Sequence, residues 1–307
     1  MLALRKAIKA PQGYKVVAAD SSQIEARMVA YLANEVELLD QFRHGRDPYA
    51  ELAEKIFGAT AQEIHDGAKS GDKRMKMYRN VGKTAILSAG YGVGAKRFSD
   101  TLLRQGVKLS ANLDEHAEMA KHAHSVYRMS NASIVTLWDR CQRVIDALAV
   151  GSSGFFAGPH NDLIEYGLMP VPGASDLVPS IKMPSGYIIR YMNLHAENIE
   201  GSKRPQYFYE RVKGKGVIKT KVYGGATTEH CCQCLAFQLL MWQACRMAEQ
   251  GIHLHGNIHD SFATIVPAEQ AEQTAAVMTK CMSEVPDWLP GFPVACEAEI
   301  GDDFMVV

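Results

Sequence analysis

The sequence predicts a mixed α and β fold, and three patterns support this class. A β-branched apolar run at residues 13–20, GYKVVAAD, predicts a buried strand. Apolar residues recur at helical spacing in several long segments, including residues 226–250. Turn residues beside an apolar pattern at 254–267 predict a hairpin. Because these elements occur without an internal repeat or a low-complexity linker, a globular α/β arrangement is expected.

The composition is that of a globular chain. It has 307 residues, of which 47% are hydrophobic, enough to bury a core in one or two domains. No apolar run approaches about eighteen residues, and the amino-terminal segment lacks the long apolar region of a secretory signal, so no membrane span and a cytoplasmic location are expected. Seven cysteines, an odd number, favour a reduced intracellular protein.

The charges are unevenly distributed although the net charge is only −1. Residues 69–97 hold eight Lys and Arg against one acid, and residues 202–221 hold seven against one. Two local basic surfaces suit a polyanion bound at defined places. Solvated helix or strand faces explain such runs equally well, so charge alone leaves both interpretations open.

The elements follow in order from the first strand. The predicted strand 13–20 ends in Asp20, and residues 23–33 continue as a helix after two serines that can cap it. Asp47-Pro48 predicts the start of a second helix that ends at Gly58. Residues 59–72 are polar and are expected to form a loop.

The remaining elements are mostly helical at first. Residues 74–92 predict a long helix with basic side chains along one face, and most of 112–150 is expected to be helical. Residues 183–193 predict a strand or hairpin, and 268–282 predict a helix before a final strand near the end of the chain.

Two carboxylates have settings that suggest chemistry. Asp20 ends one strand, and Asp260 lies in the turn of the predicted hairpin. If the two strands are neighbours, the carboxylates converge, and such a pair requires a cation such as Mg²⁺. Arg79 and Lys83, one helical turn apart, would provide cationic donors for a triphosphate. By spacing alone, an Asp at a strand end is more often a helix cap than a metal ligand.

The sequence resembles family A DNA polymerases, and most closely the phage-encoded members. DSSQIEAR at 20–27 is similar to motif A, the spacing of Arg79, Lys83, Leu87 and Tyr91-Gly92 is similar to motif B, and IHDS at 258–261 is similar to motif C. The three motifs occur in the family's order, and flanking segments such as GRDPYAELAEKIFG match as well. The resemblance covers nearly the whole chain.

The resemblance implies template-directed DNA synthesis by two-metal nucleotidyl transfer. Asp20 and Asp260 correspond to the carboxylates that hold two Mg²⁺ ions. Arg79 and Lys83 correspond to the triphosphate ligands, and Lys83 also to a general acid for the leaving pyrophosphate. Asp20, Asp260 and Lys83 are therefore the expected catalytic residues.

The other motif positions imply contacts with the nucleotide and the DNA. Glu25 corresponds to the steric gate against a ribose 2′-hydroxyl. Leu87 corresponds to a residue against the incoming sugar and base, and Tyr91 to one beside the templating position. His259 and Gln233 correspond to contacts with primer and template near the growing end.

Four positions depart from the family pattern. Ser21 and Leu87 replace aromatic residues, which puts nucleotide selection and rate in question. Ser261 replaces an acid, the less essential one of its motif. Glu229 stands where an Asn is common, so that contact is not carried over.

The resemblance also implies an organisation into domains. Residues 1–27 would form the first part of an antiparallel palm, 28–222 helical fingers that carry the helix 74–92, and 223–307 the second part of the palm. The expected partners are primer–template DNA and dNTPs, in the host cytoplasm for a phage enzyme. Because the segments TGR-x-SS and LQNIP of relatives do not occur, no thumb is expected. A second polypeptide, with or without an exonuclease, is expected to supply the thumb and the remaining palm.

Two other functions and one metal site are compatible with parts of the sequence. A single-subunit phage-type RNA polymerase shares IHDSF, but Glu25 within motif A favours DNA synthesis. A non-catalytic nucleic-acid-binding remnant is the second alternative, and the joint retention of the motif residues argues against it. A zinc site is not favoured because its candidate ligands lie in a helical pattern without paired CxxC spacing, namely His230, Cys231, Cys232, Cys234 and Cys245.

Overall fold

The computed structural model describes residues 2–173, 175–202 and 204–306. The chain divides into two compact units. The first consists of Met1–Met28 and Gln233–Val307, and the second of Val29–Cys232. The mixed α and β class is confirmed, with antiparallel sheets and many helices. The assignment of palm and fingers to parts of the chain stays a prediction.

The helices of the described residues are α1 (Leu2–Ala7), α2 (Ile24–Ala33), α3 (Val36–Arg43), α4 (Pro48–Phe57), α5 (Ala61–Ser70), α6 (Lys73–Ala89), α7 (Ala95–Arg104), α8 (Leu113–Ser130), α9 (Ala132–Ala149), α10 (Gly224–Glu249) and α11 (Ala271–Met282). The strands are β1 (Tyr14–Ser21), β2 (Gly154–Phe156), β3 (Ile164–Met169), β4 (Val178–Lys182), β5 (Ile188–Arg190), β6 (Met192–Glu197), β7 (Gln206–Lys213), β8 (Gly216–Val222), β9 (Gly256–Ile258), β10 (Ser261–Pro267) and β11 (Cys296–Gly301). Short 3₁₀ helices occupy Ala268–Gln270 and Phe304–Val306.

The first unit is built on a four-stranded antiparallel sheet in the order β11-β1-β10-β9. The apolar run predicted as a strand forms β1, which lies between β10 and β11 and packs against α11, and its residues 16–19 are buried. Val16 and Ala263 form a small core with Phe304, and α11 packs against β1 and β11. The predicted hairpin is confirmed as β9 and β10, joined by His259 and Asp260.

The second unit combines helices α3–α9 with two antiparallel sheets, in the orders β2-β3-β4-β5 and β6-β7-β8. The predicted caps of α4 are confirmed. Asp47 accepts hydrogen bonds from the backbone N–H groups of Tyr49 and Ala50, and Gly58 follows the helix with a φ of 80°.

Helices α4 and α6 approach each other closely at Gly82. A Cβ atom added there would lie 2.1 Å from the carbonyl oxygen of Tyr49, so only glycine permits this contact. Nearby, the rings of Phe57 and Tyr78 stack with centroids 3.9 Å apart. The start of α4 is thereby held against the middle of α6.

Two boundary predictions were wrong. Residues 59–72, expected as a loop, contain α5, which begins with a capping box between Thr60 and Glu63 and buries Ile64. The helix expected over 74–92 ends at Ala89. Just beyond this end, Trp138 Nε1 donates a 2.6 Å hydrogen bond to the carbonyl oxygen of Gly90, and Gly92 takes a φ of 75°, which is incompatible with a continued helix.

The other predicted helices of some length are confirmed at α2, α8, α9, α10 and α11. None of the helices in the described ranges combines the length and the apolar character needed to span a bilayer.

Candidate active site

Asp20 and Asp260 meet at one end of the sheet in the first unit. Asp20 pairs in register with Ser261, the residue after Asp260, and the backbone N–H of Ser21 donates a 3.0 Å hydrogen bond to the carbonyl oxygen of Asp260. The Asp260 carboxyl group lies near enough to Asp20 to influence its ionisation. The sequence predicted that Asp20 and Asp260 converge if their strands are neighbours. The pairing of β1 with β10 meets this condition.

The neighbouring carboxylates affect the pKa of Asp20. Partial burial and the neighbouring Asp260 raise the pKa of Asp20 from 3.8 to about 6, and Glu297 and Glu299 contribute in the same direction. The Asp20 side chain still reaches solvent. An acidic cluster that is open to solvent and electrostatically unfavourable by itself is suited to binding a cation.

Glu297 and Glu299 are acidic neighbours that the motifs did not indicate. Glu297 lies opposite Asp20, and Glu299 lies opposite Ala18, on the same face of the sheet. Their alternation in CEAEI is typical of one strand face and could have indicated a shared side. Their position beside Asp20 depended on the register of β11, which the sequence does not reveal.

The backbone is unusual at both acidic turns. His259 has a φ of 61° and Gln23 a φ of 52°, in a region that non-glycine residues seldom adopt. Arg27, buried, donates a 2.8 Å hydrogen bond from Nε to the carbonyl oxygen of Ser22, which holds the turn between β1 and α2. These contacts place Glu25 in the first turn of α2, where its side chain is half-buried.

His259 and Gln233 also belong to the first unit, and both side chains are exposed. His259 lies in the β9–β10 turn next to Asp260, and Gln233 lies on α10. Both positions are accessible to a ligand.

In the second unit, α6 presents Arg79, Lys83 and Leu87 at intervals of four residues. Lys83 is exposed, Leu87 is 39% exposed, and Arg79 is half-buried, so the three form one stripe on the helix. The buried residues of α6 occupy other positions, including Val81, Ala85 and Ile86. The sequence spacing thus placed these side chains together correctly.

Tyr91 lies beyond the end of α6 and not on it. Its hydroxyl group donates a 3.2 Å hydrogen bond to Sγ of Cys232 on α10. A Cβ on Gly225 would lie 2.2 Å from the carbonyl oxygen of Tyr91, so a glycine is needed for the start of α10 to lie against the Tyr91 backbone. Tertiary packing, rather than the helix, fixes the position of Tyr91.

Arg79 has a close acidic partner that the motifs did not indicate. Its Nε donates a 2.6 Å hydrogen bond to Oδ2 of Asp47, and its guanidinium lies over the ring of Tyr49, 5.2 Å from the centroid. His65 Nδ1 lies 2.8 Å from the same Asp47 oxygen. Burial opposes ionisation of Asp47, but the hydrogen bonds from Arg79 and His65 hold its pKa below the usual value.

The carboxylates of Asp20 and Asp260 suit Mg²⁺ better than they suit a metal ion whose ligands all come from the protein. Among the described residues, no group of three or more His, Cys, Asp or Glu side chains is arranged to hold a metal ion. Mg²⁺ commonly uses only one or two carboxylates and completes its coordination with water and substrate phosphates. Asp20 and Asp260 provide such a pair.

The family model described as DNA polymerase family A matches residues 2–134. DNA polymerase I of Pseudomonas aeruginosa is 46% identical over 71 residues, which are 23% of this chain and 7% of that protein. The DNA polymerase of Bacillus phage SP02 is 24% identical over 304 residues, which are 97% of this chain and 42% of the phage protein. The chain therefore spans less than half the length of these relatives.

The fold agrees with these sequence matches. The structure is similar to the polymerase domain of Pol1 from M. smegmatis, solved in complex with DNA primer-template and dNTP, with a TM-score of 0.58 and 17% identity. The similarity covers 99% of this chain and 42% of that one. The family match, the bacterial and phage relatives and the fold all show similarity to DNA polymerase family A.

Proposed function

We propose that this chain carries out template-directed DNA synthesis, adding dNTPs to the 3′ end of a primer. The observation that carries the proposal is the convergence of Asp20 and Asp260 at one end of the sheet, where β1 pairs with β10. Support also comes from the relatives named DNA polymerases and from the structural neighbour that binds primer-template and dNTP. In this proposal the first unit corresponds to the palm and most of the second to the fingers.

Asp20 and Asp260 would hold the Mg²⁺ ions of the reaction. When bound, two such ions neutralise charge at the reacting phosphate and assist both the attacking and the leaving oxygen. The carboxylates themselves supply hard oxygen ligands on a rigid sheet, which fixes their separation before a nucleotide arrives. Glu297 and Glu299 add to the negative potential that attracts cations.

Arg79 and Lys83 would bind the triphosphate of the incoming nucleotide. An exposed ammonium and a half-buried guanidinium on one helix stripe provide charge-assisted donors for phosphate oxygens. We assign to Lys83 the further role of donating a proton to the leaving pyrophosphate. Leu87 on the same stripe would contact the sugar and base, and Tyr91 would lie beside the templating position.

The remaining motif residues would select the sugar and contact the DNA. Glu25, half-buried in the first turn of α2, would exclude a 2′-hydroxyl group by its bulk. His259 and Gln233, both exposed, would contact primer and template. Neither the relatives nor the structural neighbour supports the second polypeptide expected above, and it forms no part of the proposed activity.

Primer extension by the purified chain, with Mg²⁺ and each dNTP, tests the proposal. Template-dependent extension is expected for the wild type and for the control Asp287→Asn, an exposed acid in the same unit. Asp20→Asn and Asp260→Asn should abolish extension while primer–template affinity stays within about twofold, because DNA affinity comes mainly from cationic contacts with phosphates. Extension at wild-type rates by either variant, or none by the wild type, would contradict it.

A further inference from the structure

Asp47 bonds to two different parts of the second unit, one through each carboxylate oxygen. Oδ1 accepts hydrogen bonds from the backbone N–H groups of Tyr49 and Ala50, at 3.1 and 3.3 Å, and so caps α4. Oδ2 accepts the 2.6 Å hydrogen bond from Arg79 and lies 2.8 Å from His65. The side chain of Asp47 is only 12% exposed, so water competes little for either oxygen.

The guanidinium of Arg79 is restrained in two directions. The bond from Nε to Asp47 fixes one edge of its plane, and the ring of Tyr49 lies against its face. Neither terminal nitrogen of Arg79 has a hydrogen-bond partner within the described ranges of the chain. The donors that remain are therefore the pair suited to a bidentate contact with phosphate oxygens.

The contacts with Arg79 come from a helix that is packed tightly against α6. Gly82 lets α4 lie directly against α6. Asp47 and Tyr49 at the start of α4 therefore contact Arg79, which lies on α6 three residues before Gly82. An arginine side chain otherwise loses considerable rotamer entropy when it binds a ligand. Holding it in place beforehand reduces that loss and strengthens binding of the ligand.

We propose that Asp47 is a positioning residue for the nucleotide triphosphate: with Tyr49 it orients Arg79 so that both terminal nitrogens face the phosphates. This inference rests on the proposed function, in which Arg79 binds the triphosphate. Asp47 touches neither the nucleotide nor the metals and acts only through the arginine.

The substitution Asp47→Asn separates the two roles of the side chain. The amide oxygen can still accept from Tyr49 and Ala50, and Asn is as good an N-cap as Asp. The amide nitrogen cannot accept from Arg79 or from His65, so the contacts made by Oδ2 are lost while the cap is kept. The matched control is Asp72→Asn, because Asp72 caps α6 itself through Oδ1, which accepts from Arg74 and Met75.

Single-nucleotide primer extension measures the effect. Because a ground-state contact with the triphosphate is weakened, Asp47→Asn should raise the KM for dNTP about tenfold and leave kcat within about twofold. Inhibition by pyrophosphate, which needs no chemistry, should weaken in parallel. Asp72→Asn should change neither quantity, and in an Arg79→Ala background Asp47→Asn should add nothing.

The outcomes distinguish the two proposals. If Arg79→Ala leaves the KM and pyrophosphate inhibition unchanged, the triphosphate assignment of Arg79 is wrong. If Arg79→Ala impairs both but Asp47→Asn behaves like Asp72→Asn, only the positioning role is wrong. Thermal unfolding checks each variant, and Asp47→Ser, which keeps a capping oxygen, replaces Asp47→Asn if that variant does not fold.

Discussion

Glu297 lies directly opposite Asp20 in the antiparallel register of β1 and β11, so two carboxylates share one face beside the candidate metal site. A negative charge at this distance attracts cations without having to ligate one. We therefore expect Glu297→Gln to raise the Mg²⁺ concentration for half-maximal primer extension about threefold. The control is Glu272→Gln, an exposed acid on α11. An unchanged Mg²⁺ dependence would show that Glu297 does not contribute to the potential at Asp20.

The second prediction concerns sugar selection by Glu25. Replacement by alanine removes the half-buried side chain from the first turn of α2 and opens space for a 2′-hydroxyl group. Glu25→Ala should reduce the preference for dNTP over rNTP about tenfold or more in kcat/KM. Glu272→Ala should keep the wild-type preference, and equal discrimination by both variants would exclude Glu25 as the gate.

The third prediction concerns Leu87, which departs from the aromatic residue expected at this position from the resemblance to motif B. Its side chain is 39% exposed, so a larger ring can be accommodated without overpacking the core. Leu87→Phe should change the rate of nucleotide addition and the use of dideoxynucleotides, while the free energy of unfolding changes by less than about 0.5 kcal/mol. Identical kinetics with every nucleotide would mean that this stripe of α6 does not face the sugar.

The fourth prediction concerns the contact between α4 and α6. Gly82→Ala would place a methyl group against the carbonyl oxygen of Tyr49, so the helices must separate. We expect a loss of about 3 kcal/mol in the free energy of unfolding, measured by denaturant titration. Gly216→Ala is the control, because a Cβ there meets nothing within 4 Å. Similar stabilities for the two variants would contradict the close approach of the helices.

The fifth prediction concerns pH. The folded state lowers the pKa of Asp47, so its ionisation stabilises the fold above the unfolded value of about 3.9 and ceases to do so as pH falls through the lower folded value. The wild type should exceed Asp47→Asn by about 1 kcal/mol in unfolding free energy at neutral pH. That difference should shrink below about pH 4. A constant difference down to the acid transition would show that the charge of Asp47 is not responsible.

Features that depend on local sequence pattern could be predicted without the structure. The apolar run before Asp20 predicted β1, the turn residues predicted the hairpin around Asp260, and four-residue spacing placed Arg79, Lys83 and Leu87 on one stripe. Backbone geometry dictates these periodicities, so they can be recognised without knowledge of the fold. The capping box of α5 was equally local and was overlooked.

Contacts between residues that are distant in sequence became visible only in the folded protein. The proximity of Asp20 to Asp260, the place of Glu297 opposite Asp20, and the bond from Arg79 to Asp47 each join segments far apart in sequence. The end of α6 at Ala89, before Tyr91, also emerges only in the structure, where Trp138 bonds to the carbonyl oxygen of Gly90. Such contacts depend on strand register and helix packing, which arise from the whole core and leave no periodic signal in the chain.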